Sequence, residues 1–273
     1  MTAARRRRLE ALRPALDGLY ARYNRRAFVD PDPLAPVYAF TDPAEQEVAA
    51  LLAAALAFGN VKTILESIRR VFEAVPAPAR AARDLPPAAL RRRLEGFRHR
   101  YVTGTEVAAL MAGAGSLLRE YGSLGGALMA LDDPESATVL PVIARLADAL
   151  RARGGLPKNY LVPDPALGSA CKRWFMLLRW MVREDDVDLG LWRRLGAGRL
   201  IVPVDTHMHR VAIGLGLTRR KAADLKAALE ITAAFRAICP EDPVRYDFCL
   251  TRLGIRADGD MAAFVREART PGA

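Results

Sequence analysis

A chain of 273 residues is long enough to bury a large core, as one domain or as two closely packed lobes. Its composition, 51% hydrophobic and 26% charged, excludes a disordered or fibrous chain. Lys and Arg outnumber Asp and Glu by 41 to 31, and the formal charge of +10 favours a polyanionic partner, nucleic acid before an acidic membrane surface. Cys171, Cys239 and Cys249 are too widely spaced for a disulfide framework or a cysteine-held zinc or iron–sulfur site. The basic start "MTAARRRRLEALRPAL" is followed by no apolar signal region, and no stretch approaches the ~18 apolar residues of a membrane span. A soluble chain in a reducing cytoplasm fits these features.

In chain order, apolar residues recur at three and four rather than at two, which predicts helices throughout and requires no strand. The first helix is expected over about 3–26, ending before the proline-rich linker "FVDPDPLAP". "TDPAEQEVAALLAAALAFGN" starts a core helix at Thr41 or Asp42, and after Gly59-Asn60 the amphipathic "VKTILESIRRVFEAV" completes a helical hairpin. Further helices are expected at about 86–97, 105–121, 123–131 and 136–151. The break "RARGGLPKNYLVPDPALGS" is the best hinge candidate. Helices resume at about 169–183, 205–216, 219–238, 241–253 and 259–268. The division that follows is 1–40, a helix and linker packing with the C-terminal part; 41–167, a helical lobe; and 168–273, the remainder.

Two stretches could carry chemistry. "SACKRWFMLLRWMVRE" sets Lys172, Met176 and Trp180 along one stripe of an otherwise apolar helix. A lone lysine there ordinarily snorkels to the surface. "PVDTHMHRVA" has the grammar of a helix start with Asp205 as N-cap. A metal site on Asp205, His207 and His209 would need three side chains to converge, yet on a helix 205 and 209 share a face that 207 does not.

Together, a helical lysine and a downstream "VDTHxxR" opening another helix resemble the helix-hairpin-helix DNA glycosylases. The resemblance implies an all-α fold of two helical lobes around a cleft, with Lys172 as nucleophile and Asp205 as both cap and catalytic carboxylate. "LLAAALAFGNVKTILESIRRVF" is similar to the superfamily's early hairpin, where Asn60 would enter the gap left by an extruded base. "PEDPVRYDFCLTRLGI" is similar to its late helix. The hairpin signature ahead of the lysine is present only as "ALGSACK": Gly168 matches, and Ala170 stands at the second glycine. The long separation of Lys172 from Asp205 resembles the archaeal 8-oxoguanine branch. The sequence is most similar to a bacterial family of unknown function sharing "KRWFMLLRWMVR", "PVDTHMHR" and "DPVRYDF".

These likenesses imply a monomeric repair enzyme that removes an oxidised purine from double-stranded DNA and cuts the strand through a lysine Schiff base, with no cofactor, metal or membrane. A carboxylate suits the positive charge that develops on the sugar, and a lysine amine in the setting "KRWFMLLRW" suits attack at C1′. Met176, Trp180 and Asp247 are the candidate pocket residues, and the other tryptophans, Trp174 and Trp192, could also stack. Gly168, Arg219, Arg220 and Lys221 are candidates for the DNA backbone, the last three because they are expected to open a helix. Two alternatives remain at this point: a non-catalytic DNA-binding protein on the same scaffold, and a metal-dependent phosphoester hydrolase using Asp205, His207 and His209.

Overall fold

The computed structural model describes residues 1–157, 161–256 and 259–269. The described chain is nearly all helical, as the Ala- and Leu-rich periodicity requires. Its α-helices are α1 (Ala3–Glu10), α2 (Arg13–Tyr23), α3 (Pro43–Leu56), α4 (Val61–Ala74), α5 (Pro78–Asp84), α6 (Pro87–Arg93), α7 (Gly104–Tyr121), α8 (Leu124–Leu131), α9 (Leu140–Gly154), α10 (Lys172–Val182), α11 (Thr206–Leu215), α12 (Leu225–Ile238), α13 (Asp247–Ile255) and α14 (Met261–Arg269). No helix among the described residues is long and apolar enough to cross a membrane.

Local chemistry sets most of the starts. Asp42, Asn60, Ser123, Asp205 and Asp224 each accept a backbone amide of the helix they precede, and Thr103 with Glu106 forms a reciprocal capping box on α7. Helix α3 is buried on every side from Glu47 to Leu56, the mark of a central helix. Glu47, buried within it, accepts from the amides of Leu124 and Gly125 at the start of α8 and from Trp192 Nε1, so one carboxylate ties three segments together.

Several expectations are corrected. The helix expected over 3–26 is two helices, because Pro14 lies in the first turn of α2 and cannot donate back to the preceding turn. Pro78 starts a short helix, α5, that was not expected, and Pro87 starts α6, which lies within the expected 86–97 but ends at Arg93. A strand pair does occur: Arg98–His99 (β1) and Val102–Thr103 (β2) form an antiparallel hairpin between α6 and α7. Helices α12 and α13 start at Leu225 and Asp247, later than 219 and 241, because the preceding residues turn tightly before each start.

Packing places the site. Helix α7 lies against α5 and α9, and α10 lies against α3. The N-terminal α1 and α2 pack on α12 and on α13, and α11 packs on α13 and α14. The first residues of α10 and α11, the turn between α3 and α4, and one face of α13 thereby surround a common cleft.

Candidate active site

The cleft has a volume of about 970 Å³ and is lined by Lys172, Asp205, Met176 and Asp247, together with Phe58 and Gly59 of the α3–α4 turn. Lys172 is the first residue of α10 and follows Cys171, whose left-handed backbone (φ +46) turns the chain into the helix. Asp205 sits before α11 in extended backbone, so its side chain folds over the first turn and Oδ1 accepts the Met208 amide at 2.8 Å. Its other oxygen, Oδ2, faces Lys172 Nζ at 2.7 Å. One carboxylate thus caps a helix and pairs with the lysine.

Both side chains keep contact with solvent, at 38% and 36% exposure. Partial burial raises the proton affinity of Asp205, but the Lys172 ammonium, its hydrogen bond and the Met208 amide outweigh that and hold the carboxyl below its ordinary range. Asp205 is therefore an anion at neutral pH. The aromatic residues of α10 do not enclose Lys172: Trp174 is buried with its Nε1 donating to the Pro163 carbonyl at 3.0 Å, and Trp180 is fully buried.

Among the expected pocket residues, Met176 lies one turn below Lys172 on the cleft wall. Asp247 also lines the cleft, but it is buried and its Oδ2 accepts from Arg179 Nη1 at 2.5 Å. Trp180 is corrected: the stripe Lys172, Met176, Trp180 leaves the cleft after its second member and ends in the core, where Trp180 has no solvent contact. Trp192 is likewise core, bonded to Glu47. Asn60 is exposed beside the cleft as the cap of α4, with Oδ1 accepting from Lys62 N at 3.0 Å.

The basic trio is also corrected. Arg219, Arg220 and Lys221 precede α12 rather than opening it, since Asp224 is the cap. Arg219 and Lys221 are exposed, while Arg220 pairs with Asp224 at 2.9 Å and its carbonyl accepts from His209 Nε2 at 3.0 Å. Gly168, in left-handed backbone, presents its carbonyl to the amide of Leu225 at 3.2 Å, so the loop ahead of Lys172 is fastened to the start of α12. His209 faces the Arg220 carbonyl, and His207 packs on α13 at Gly254, where a Cβ would fall 1.8 Å from the ring. The two histidines therefore support packing, and among the described residues no group of three or more His, Cys, Asp or Glu is placed to hold a metal ion.

Sequence reasoning missed the charged floor of the cleft. Arg179 stands two turns after Lys172 on the same helix face, lines the cleft and is buried between Asp247 and Asp188. Arg252 is buried with Asp32, at 3.0 Å, and both line the cleft. Arg179 carried the same signal that singled out Lys172, a cation inside an apolar helix. Asp32 lies in the proline-rich linker, and nothing local distinguishes it.

A family model described as a protein of unknown function (DUF2400) matches residues 32–256. The chain belongs to this family. No curated protein and no solved structure matches it. The DUF2400 match begins at Asp32 and ends at Arg256, so it includes every residue of the cleft named above and leaves out α1, α2 and α14.

Proposed function

We propose that this protein is a DNA glycosylase with lyase activity, acting on an oxidised purine of the 8-oxoguanine type in double-stranded DNA, on a helix-hairpin-helix glycosylase-like fold. The observation that carries the reading is the 2.7 Å contact of Lys172 Nζ with a helix-capping Asp205, at the rim of a cleft large enough for a nucleoside.

In this reading the damaged nucleotide leaves the base stack and enters the cleft, at a cost of a few kcal/mol that contacts from the turn at Asn60 help to offset. The bond from C1′ to the base breaks with its electron pair on the base. Positive charge develops on the sugar, and the Asp205 carboxylate, kept ionised by its surroundings, stabilises it. Lys172 passes its proton to the departing base and attacks C1′ as the free amine. The sugar ring opens as a proton moves from that nitrogen to O4′, leaving an imine. The imine acidifies the C2′ hydrogens, and loss of one expels the 3′ phosphate and cuts the strand. Met176 walls the pocket, and Arg219 and Lys221 remain exposed for backbone phosphates.

Borohydride reduction during incubation with a duplex containing 8-oxoguanine or an abasic site tests the reading. A covalent protein–DNA adduct that disappears in Lys172→Gln supports it. DNA binding with no adduct would leave the scaffold without the lyase chemistry.

A further inference from the structure

The exposed large apolar side chains of the described chain are not scattered. Apart from Met1 and Ile213, they are Val61, Tyr101, Leu167 and Ile255. Val61, Leu167 and Ile255 line the cleft, and Tyr101 stacks on Phe58, which also lines it. Tyr101 is 51% exposed and Leu167 77%. Exposed apolar side chains are therefore gathered at the cleft in a chain of net charge +10.

The Tyr101 side of this rim is rigidly built. The hairpin of β1 and β2 turns at Arg100, a non-glycine residue at φ +54, and Tyr101 follows it. The Phe58 and Tyr101 rings lie 5.5 Å apart and nearly parallel, at 22°. His99 is buried behind them: its Nε2 lies 3.1 Å from the Phe58 carbonyl, which can only accept, so Nε2 carries a hydrogen, and its Nδ1 lies 2.8 Å from Ser67 Oγ on α4. The α3–α4 turn accommodates the tip through Gly59, at φ +105, where a Cβ would come within 3.1 Å of Arg100 Nη1. Arg98 and Arg100 are exposed on either side of His99. Arg98 Nε donates to the Arg100 carbonyl at 3.0 Å, so the exposed ring and both cations share one hairpin, a combination that matches the chemistry of a nucleobase next to its phosphates.

We infer that Tyr101, on the same hairpin as Arg98 and Arg100, is a stacking surface for an unstacked nucleobase outside the cleft, with Leu167 and Ile255 completing the rim against the same opened DNA. The inference rests on reading the cleft as a site for DNA, and it adds a second base contact that does not depend on Lys172 chemistry.

The test is fluorescence-anisotropy binding of the full chain to a duplex with one tetrahydrofuran abasic analogue and to the same duplex fully paired, over a range of salt. Tyr101→Ala is expected to weaken binding to the abasic duplex roughly 5- to 100-fold, with a smaller loss on the paired one and an unchanged salt slope, while Tyr101→Phe stays close to wild type. Arg98→Gln with Arg100→Gln is expected to lower the slope of log K against log salt by about 2. Equal binding by Tyr101→Ala and wild type overturns the inference, as does an equal loss on both duplexes or a failure of Tyr101→Phe to restore binding. A dimer in sedimentation that Tyr101→Ala dissolves would assign the rim to a second copy instead and also overturn it. Repeating the titration in Lys172→Gln separates the two readings: a Tyr101 effect without any trapped adduct in wild type sinks only the lyase assignment, whereas an adduct with a silent Tyr101→Ala sinks only the stacking surface.

Discussion

Two sets of ion pairs share helix α10 and differ in depth. Lys172 and Asp205 meet at the rim with more than a third of each side chain exposed, whereas Arg179, two turns further along, is enclosed between Asp188 and Asp247. Arg183 extends the inner set to Asp185 and Asp242, each at 2.9 Å, and to Asp188. Burial pushes Asp247 above its ordinary range against the pull of Arg179, while Asp205 is held below its own. A rim pair can exchange partners with an incoming charged group, because solvent reaches both of its members. The inner network has no such freedom, and its work is to hold α10, the 184–189 loop and α13 in register beneath the rim.

The two sets should therefore respond to mutation in opposite ways. Lys172→Gln should eliminate the borohydride-trapped adduct entirely and leave the thermal midpoint close to wild type, since an exposed pair contributes at most about 1 kcal/mol. An adduct that survives in this variant would move the nucleophile elsewhere. Arg179→Met should do the reverse in stability, costing about 3–5 kcal/mol by denaturant titration because it leaves Asp188 and Asp247 buried beside an apolar side chain. A loss below about 1 kcal/mol would show that the inner set is no more structural than the rim.

How much of this was legible in the sequence follows from the range of each interaction. Helix starts at Asp42, Asn60 and Asp205 were readable because a cap and the amides it satisfies lie within three residues. Lys172 and Asp205 were readable as candidates through their motifs, although the 2.7 Å contact depends on how α10 and α11 pack. Trp180 failed because helical periodicity gives a stripe but not the point where the stripe passes from cleft to core. The Arg98–Thr103 hairpin failed for a different reason. "FRHRYVTG" has no alternating apolar run, and its strands are held by His99 reaching Phe58 and Ser67, partners far away in the chain. Asp32 and Arg252 are a buried pair from opposite ends of the family match, and no local pattern announces such a pair.

The smallest predicted effect separates the two duties of Asp205. Asparagine can accept the Met208 amide as aspartate does, so Asp205→Asn should keep the cap of α11 and lose only the charge facing Lys172. Asp205→Ala loses both and should cost about 0.5–2 kcal/mol more than wild type in urea titrations. The gap between wild type and Asp205→Asn should also depend on pH. Because the carboxyl of Asp205 is depressed in the folded protein, the stability it adds is fully present above the ordinary carboxylate range and is lost as pH falls through the lower folded value. The wild-type advantage over Asp205→Asn should therefore be steady near neutrality and close on acidification. An advantage that grew as pH fell would mean that burial, not Lys172, governs Asp205, and a carboxyl governed that way would be protonated too readily to serve as the anion that the proposed reaction requires.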